Sequence, residues 1–287
     1  DTDFFVVYKD KILRFGSFER CTKIRPIDDI DLMLCLSGEG TRTYKQSGDG
    51  FYIYGSNSDS ENGLMTDNTN YLNSTKVINR FITKLSDLQD YSKAEMHKNH
   101  EAATLQLKSY TWNFDIVPCF YTYTDFYLIP DGSGNWKKTD PRIDNERITD
   151  INQKHNGKLL ELVRLAKYWN DRKVTIRIDS YLLECMILQK YESKEASEKW
   201  WIDLEFIDLL KYLSSAILSD VDDPKGIQGN LNSFCGDDRC KISDALTNAY
   251  NKAVEASNKE LNDKDQKGAI MKWREVLGND FPEYTGE

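Results

Sequence analysis

The sequence predicts an α+β protein, with a mixed α/β first half followed by a helical second half. Three observations carry this. Short strand-like apolar runs crowd into the first half, apolar residues at helical spacing dominate the second, and the stretch between them is rich in Pro and Gly. Strands are expected at residues 4–8 and 30–36, in a hairpin across residues 41–54, and at residues 104–108 and 114–123. The hairpin announces itself by Ser47-Gly48-Asp49-Gly50 flanked by aromatic and β-branched residues. Residues 56–74 are mostly Asn, Ser, Asp, Gly and Thr, and read as a long exposed loop or an insertion. Residues 129–148 contain Pro130, Asp131, Gly132, Gly134 and Pro141, too many breakers for continuous structure, and read as a connector. Beyond it, Leu159, Leu160, Leu162, Val163, Ala166 and Trp169 predict a helix ending near Asn170. Residues 200–218 predict a longer apolar helix, and Ile242, Ala245, Leu246, Ala249, Tyr250 and Ala253 follow the i, i+3, i+4, i+7 rule. The expected division is residues 1–150 and 151–287.

Composition narrows the function classes. A chain of 287 residues is long enough for one large domain or two joined ones. Lys and Arg total 38 against 47 Asp and Glu, a net charge of −9, which argues against a general duplex-binding surface because such surfaces neutralise phosphates with excess Lys and Arg. A membrane span is not expected, since no run of 18 apolar residues occurs. The six cysteines are scattered and read as free thiols in a reducing cytosol, so the expected location is cytoplasmic. The chain opens on Asp1 without Met or a charged-then-apolar leader, and a missing leading segment is expected rather than a signal peptide.

The most informative segment is Gly16-Ser17, followed by Asp29-Ile30-Asp31 at the head of the apolar run Leu32-Met33-Leu34-Cys35-Leu36. In a strand, residues two apart share a face, so Asp29 and Asp31 present their carboxylates side by side while Asp28 points away. Two like charges that close are costly without a cation, and such a pair suits a hard divalent ion. Asp115 sits in a second apolar run, Phe114-Asp115-Ile116-Val117-Pro118. If the two strands are neighbours, Asp29, Asp31 and Asp115 form one cluster able to hold two metals for phosphoryl transfer. Taken alone, D-x-D also describes a solvated strand end. The Gly-Ser turn ahead of it adds a triphosphate cradle, because Gly lets backbone approach a phosphate and Ser donates a hydroxyl. Other signals carry less. His97, His100, Cys235 and Cys240 have spacing poorly suited to zinc. G-x-S-x-G and GxxxxGK[ST] are both absent from the sequence.

The series Gly16-Ser17-Phe18-Glu19-Arg20-Cys21-Thr22, Asp29-Ile30-Asp31-Leu32-Met33 and Asp115-Ile116-Val117-Pro118 resembles the DNA polymerase β-like nucleotidyltransferase superfamily. Within it, the sequence is most similar to the bacterial CD-NTases, the SMODS nucleotidyltransferases of CBASS anti-phage systems, which are relatives of cyclic GMP-AMP synthase and oligoadenylate synthase. Further landmarks follow in order: Tyr127-Leu128-Ile129-Pro130-Asp131, Trp136, Thr139-Asp140-Pro141, residues 162–170, Ser180-Tyr181-Leu182-Leu183-Glu184, Trp273 and Phe281-Pro282. The resemblance implies a nucleotidyltransferase core at 1–150, and at 151–287 an oligoadenylate synthase-like helical lobe closing the nucleotide cleft. It implies template-free synthesis of a cyclic di- or trinucleotide second messenger from nucleoside triphosphates. Asp29, Asp31 and Asp115 would bind two Mg²⁺ ions, or Mn²⁺, with Asp115 as general base. Gly16, Ser17, Lys167 and Ser180 would hold the triphosphate, Lys167 from the polar stripe of its helix and Ser180 at a helix N-terminus, where it also reads as an N-cap. Tyr181 is an aromatic residue suited either to stacking on a base or to a packing role in or beside the core. Duplex nucleic acid would not be required, and CBASS regulatory proteins are the implied partners. Two other functions fit the same residues: nucleotide transfer to an RNA end, protein or small molecule, and nucleotide sensing without catalysis.

Overall fold

The computed structural model describes residues 5–25, 27–40, 42–87, 94–99, 101–107 and 111–286. The chain divides into two compact units, Asp1–Asn145 and Glu146–Glu287. The border falls inside a helix, α4 below, rather than at residue 150; an unbroken helix gives no sequence signal where one unit ends.

In the first unit the strands are β1 (Leu13–Phe15), β2 (Asp29–Leu36), β3 (Tyr44–Ser47), β4 (Gly50–Ile53), β5 (Glu95–Asn99), β6 (Ala102–Gln106), β7 (Asn113–Tyr121), β8 (Tyr127–Pro130) and β9 (Trp136–Thr139). Among the described residues these nine strands make one sheet in the order β1-β2-β7-β8-β9-β4-β3, with β6 paired to β7 and β5 to β6. β2 and β7 are parallel, whereas the other pairs are antiparallel. The predicted hairpin is β3–β4, with Ser47 paired to Gly50 across the turn. Of the expected strand at residues 4–8, Val7 forms a single bridge with Leu36. Residues 4, 41 and 108, expected in strands, and His100 lie outside the described residues.

Strand alternation gives the sheet two apolar faces. On one, Met33 and Cys35 of β2 meet Val117 and Cys119 of β7, together with Ala102 and Tyr127. On the other, Ile116, Ala103 and Leu105 pack against Ile78 and Phe81 of α3 (Ser74–Ser86). Full burial of a side chain the size of Ile, Leu, Val, Met or Phe contributes about 2 kcal/mol. Asn73 starts α3 by accepting the Lys76 N–H at 3.0 Å, satisfying one of the free amides of the first turn. The first unit also contains the short helices α1 (Gly16–Glu19) and α2 (Asn57–Glu61).

Two expectations fail here. The exposed-loop reading of residues 56–74 is the first: they contain α2 and buried Leu64 and Leu72, Met65 bridges Leu72, and Tyr71 bridges Tyr54. The Leu72 carbonyl accepts the Trp136 indole N–H at 2.9 Å, which fixes the segment to the core. Residues 129–148 are likewise regular. They hold the end of β8, all of β9 and the start of α4 (Pro141–Lys154), because Gly132 and Gly134 turn tightly between strands and Pro141 opens a helix at its first position.

The second unit is helical: α5 (Leu159–Lys173), α6 (Ser180–Ser193), α7 (Ile202–Ala216), α8 (Gly236–Leu261) and α9 (Gln266–Leu277) follow α4. Leu162, Val163, Ala166 and Trp169 of α5 share a core with Leu183, Met186 and Ile187 of α6, Phe206 and Leu210 of α7, Leu246 and Ala253 of α8 and Trp273 of α9. No helix of the described residues is long and apolar enough to cross a membrane.

Candidate active site

The register of β2 against β7 builds the site. Asp31 lies directly opposite Asp115, and Asp29 opposite Asn113. Parallel strands in register put Asp29, Asp31 and Asp115 on one face, the face that becomes apolar at Met33 and Val117. Each of the three offers a carboxylate oxygen within 4.8 Å of the others, and all three are partly accessible. Three carboxylates at this separation are an all-oxygen donor set, which fits a hard divalent cation. Their mutual repulsion shows in Asp31, whose pKa is pushed up to about 6, first by burial and then by the charges of Asp29 and Asp115, with Lys23 and Arg20 pulling the other way.

β6 adds a residue that sequence reasoning missed. Thr104 is opposite Asp115, is buried, and donates its hydroxyl to Asp115 Oδ1 at 2.6 Å. The signal was a hydroxyl residue inside the apolar run Ala102-Ala103-Thr104-Leu105, since a buried hydroxyl needs a partner.

β1 delivers the Gly-Ser turn to the same place. Phe15, its last residue, pairs with Asp31, so the chain turns into α1 beside the Asp31 carboxylate. Gly16 has φ +75°, and a Cβ built on it would lie 1.8 Å from Asp31 Oδ2. Both the backbone conformation and the space exclude a side chain. The Ser17 carbonyl accepts the backbone N–H groups of Thr22 at 2.9 Å and Lys23 at 3.1 Å, closing the loop that leads back to β2. Lys23, also missed, is ion-paired through its ammonium with Asp28 and Asp29. Burial works to lower its pKa, but its hydrogen bonds to Asp28 and Asp29 outweigh this and the pKa is raised.

The remaining predicted residues are in the second unit. Lys167 is not on a solvated stripe. It is 5% exposed and ion-paired with Glu184, itself 2% exposed, because the face of α5 that carries Val163, Ala166 and Asn170 turns inward. Ser180 is exposed and is the first residue of α6, but it is not the N-cap. Asp179 caps the helix, accepting the N–H groups of Tyr181 at 2.9 Å and Leu182 at 3.2 Å, so those amides already have an anionic partner. Tyr181 is held at its hydroxyl by Asp223, at 3.1 Å, with the Lys225 ammonium 4.1 Å from its ring centroid.

Residues 53–152 match the Second Messenger Oligonucleotide or Dinucleotide Synthetase domain, SMODS. The chain is 41% identical over 281 residues to a probable cyclic nucleotide synthase of Bacillus cereus (strain VD146), covering 96% of this chain and 83% of the relative. It is 28% identical over 204 residues to the cyclic AMP-AMP-AMP synthase of Acinetobacter sp. (strain ATCC 27244 / 9458), covering 68% of this chain and 57% of that protein. Among solved structures, CdnC of E. coli MS115-1 with ATP superposes with a TM-score of 0.68 at 16% identity, covering 98% of this chain and 86% of the other. The same protein in its complex with HORMA-deltaN gives 0.65 at 15% identity, covering 94% and 83%. At such identities the solved structures show a shared fold.

Proposed function

Because the chain belongs to the bacterial CD-NTase family of nucleotidyltransferases, we propose that it is a metal-dependent, template-independent synthase that joins nucleoside triphosphates into a cyclic di- or trinucleotide second messenger for anti-phage signalling. The observation that carries this reading is the convergence of Asp29, Asp31 and Asp115 beside the Gly16-Ser17 turn. Two Mg²⁺ ions, with Mn²⁺ as a substitute, would be held by these carboxylates; bound there, they would neutralise phosphate charge and lower the pKa of the attacking hydroxyl. Asp115 has Oδ1 engaged by Thr104, which orients the carboxylate and leaves Oδ2 to take the proton of the acceptor hydroxyl. Gly16 brings backbone close to Asp31 without a side chain in the way, and Ser17 offers its hydroxyl to the donor phosphates. Lys167 and Ser180 are proposed to meet the triphosphate on the strength of the family resemblance, Lys167 after giving up Glu184.

A cytoplasmic location and a regulatory protein partner belong to the same reading; support for the partner is the HORMA complex of the E. coli relative. Three clustered acids count against a silent sensor, and relatives named as cyclic nucleotide synthases favour ring formation over transfer to another acceptor. The test is incubation with the four NTPs and Mg²⁺ followed by phosphatase. A phosphatase-resistant cyclic product that disappears in a folded Asp29→Ala variant is expected. Lack of such a product, or full activity of that variant, overturns the assignment.

A further inference from the structure

Lys23 lies on the segment that joins the Gly16-Ser17 turn to β2, and its backbone N–H is tied to the Ser17 carbonyl at 3.1 Å. Its side chain is 17% accessible and its ammonium is shared between two unlike carboxylates. Asp29 is a member of the three-acid cluster. Asp28 is outside that cluster and 72% accessible. An ammonium on Asp29 and a divalent ion on Asp29 draw on the same lone pairs and repel one another, so both cannot be held there at full strength. The neighbouring Asp28 gives the ammonium a carboxylate to keep when Asp29 is surrendered.

We propose that Lys23 is the built-in counter-cation of the metal-free site, displaced from Asp29 by a divalent ion and retained by Asp28, so that it sets the affinity for metal before nucleotide arrives. Lys23 is thus a positioning residue acting through Asp29. In the metal-free protein it offsets part of the repulsion among the three acids, and on metal entry it swings toward solvent. The inference rests on the reading of Asp29, Asp31 and Asp115 as metal ligands.

Mn²⁺ alone, titrated without nucleotide and followed by the electron paramagnetic resonance of the free ion, tests it on the full chain. Lys23→Met should bind Mn²⁺ about fivefold more tightly, the size expected when a partly buried ion pair no longer competes. Asp28→Asn should bind more weakly, because Lys23 then has only Asp29. The double variant distinguishes a local exchange from a general field effect. If Asp28 acts through Lys23, the double variant stays as tight as Lys23→Met; if only net charge matters, it returns to the wild-type affinity, and the proposal fails. Wild-type affinity in Lys23→Met also overturns it.

A second measurement needs no variant of Lys23. Amine labelling of the wild-type protein, read by mass spectrometry, should show Lys23 becoming several-fold more reactive when Mn²⁺ is added. Unchanged reactivity under saturating Mn²⁺ refutes the exchange. Asp115→Asn separates the two layers of the argument. If it leaves Mn²⁺ binding intact, the metal-ligand reading itself is wrong; if it removes binding while Lys23 labelling in wild type ignores Mn²⁺, the ligand reading stands and the exchange does not.

Discussion

Gly16 and Asp31 are locked together. The carboxylate of Asp31 fills the space where a residue-16 side chain would begin, and the φ of +75° at that position is one that L side chains rarely adopt. Gly16→Ala should therefore lower stability by more than about 1 kcal/mol and displace the Asp31 carboxylate. A purified variant with an unchanged melting temperature and unchanged Mn²⁺ affinity would contradict this. Asp31 also carries a pH signature. Its folded pKa, about 6, lies above the ordinary 3.8, so its protonated form favours the native state. That contribution is fully present below about 3.8 and is lost as pH rises through 6. In metal-free protein, Asp31→Asn should gain melting temperature relative to wild type as pH is raised from 4 to 8. A difference that stays constant across this range would refute the assigned origin of the shift. Mg²⁺ at neutral pH should narrow the gap, since it replaces the missing proton as the source of positive charge.

Individual elements differed in how much of themselves the sequence disclosed. β2 and β7 were legible because each is an apolar run with an acid near its head, and that they are neighbours was the one assumption the cluster required; the structure pairs them in parallel. Thr104 and Lys23 were not singled out, because a threonine partner and a lysine counter-ion are defined by register and loop path rather than by spacing. Lys167 illustrates the opposite failure: a charged residue on an amphipathic helix is usually solvated, and here an ion pair with Glu184 accompanies its burial. The segment at 56–74 misled because its apolar residues are few, yet Leu64 and Leu72 are enough when polar groups are satisfied locally. Ser56 and Asp59 do this reciprocally. Asp59 Oδ2 accepts the Ser56 N–H at 2.6 Å, and Ser56 Oγ accepts the Asp59 N–H at 3.2 Å, in the manner of a capping box readable as S-x-x-D. Asp59 also receives Arg42 at 2.6 Å, with side chains only 6% and 11% accessible. Asp59→Asn would leave the guanidinium without its counter-charge, at a cost of about 3 kcal/mol. Limited proteolysis should then cut within residues 56–73 faster than in the wild type; equal rates of cleavage would show that the pair does not hold this element.

At the scale of the whole molecule, the chain of two compact units shares its fold with a CdnC structure at 16% identity, so the arrangement of strands and helices is what the two have in common. What a chain of this fold can bind beyond its substrates depends on its surface, and here the sign of the charge is informative. With 47 acidic against 38 basic side chains, the chain carries −9 overall. A regulatory duplex would have to be held by a track of Lys and Arg neutralising on the order of 6–10 phosphates against that field, with affinity falling steeply as salt rises. Acidic balance instead repels a polyanion at long range, an effect strongest at low ionic strength. Triphosphate substrates escape this constraint because they are small and arrive as metal complexes with much of their charge offset. Synthesis from NTPs and Mg²⁺ should therefore proceed at the same rate, within about twofold, with or without a long duplex of DNA or RNA at low salt, the condition that most favours nonspecific binding. Stimulation by tenfold or more, lost as salt is raised, would reveal a localised basic track whose effect outweighs the net charge, and the inference from composition would be overturned.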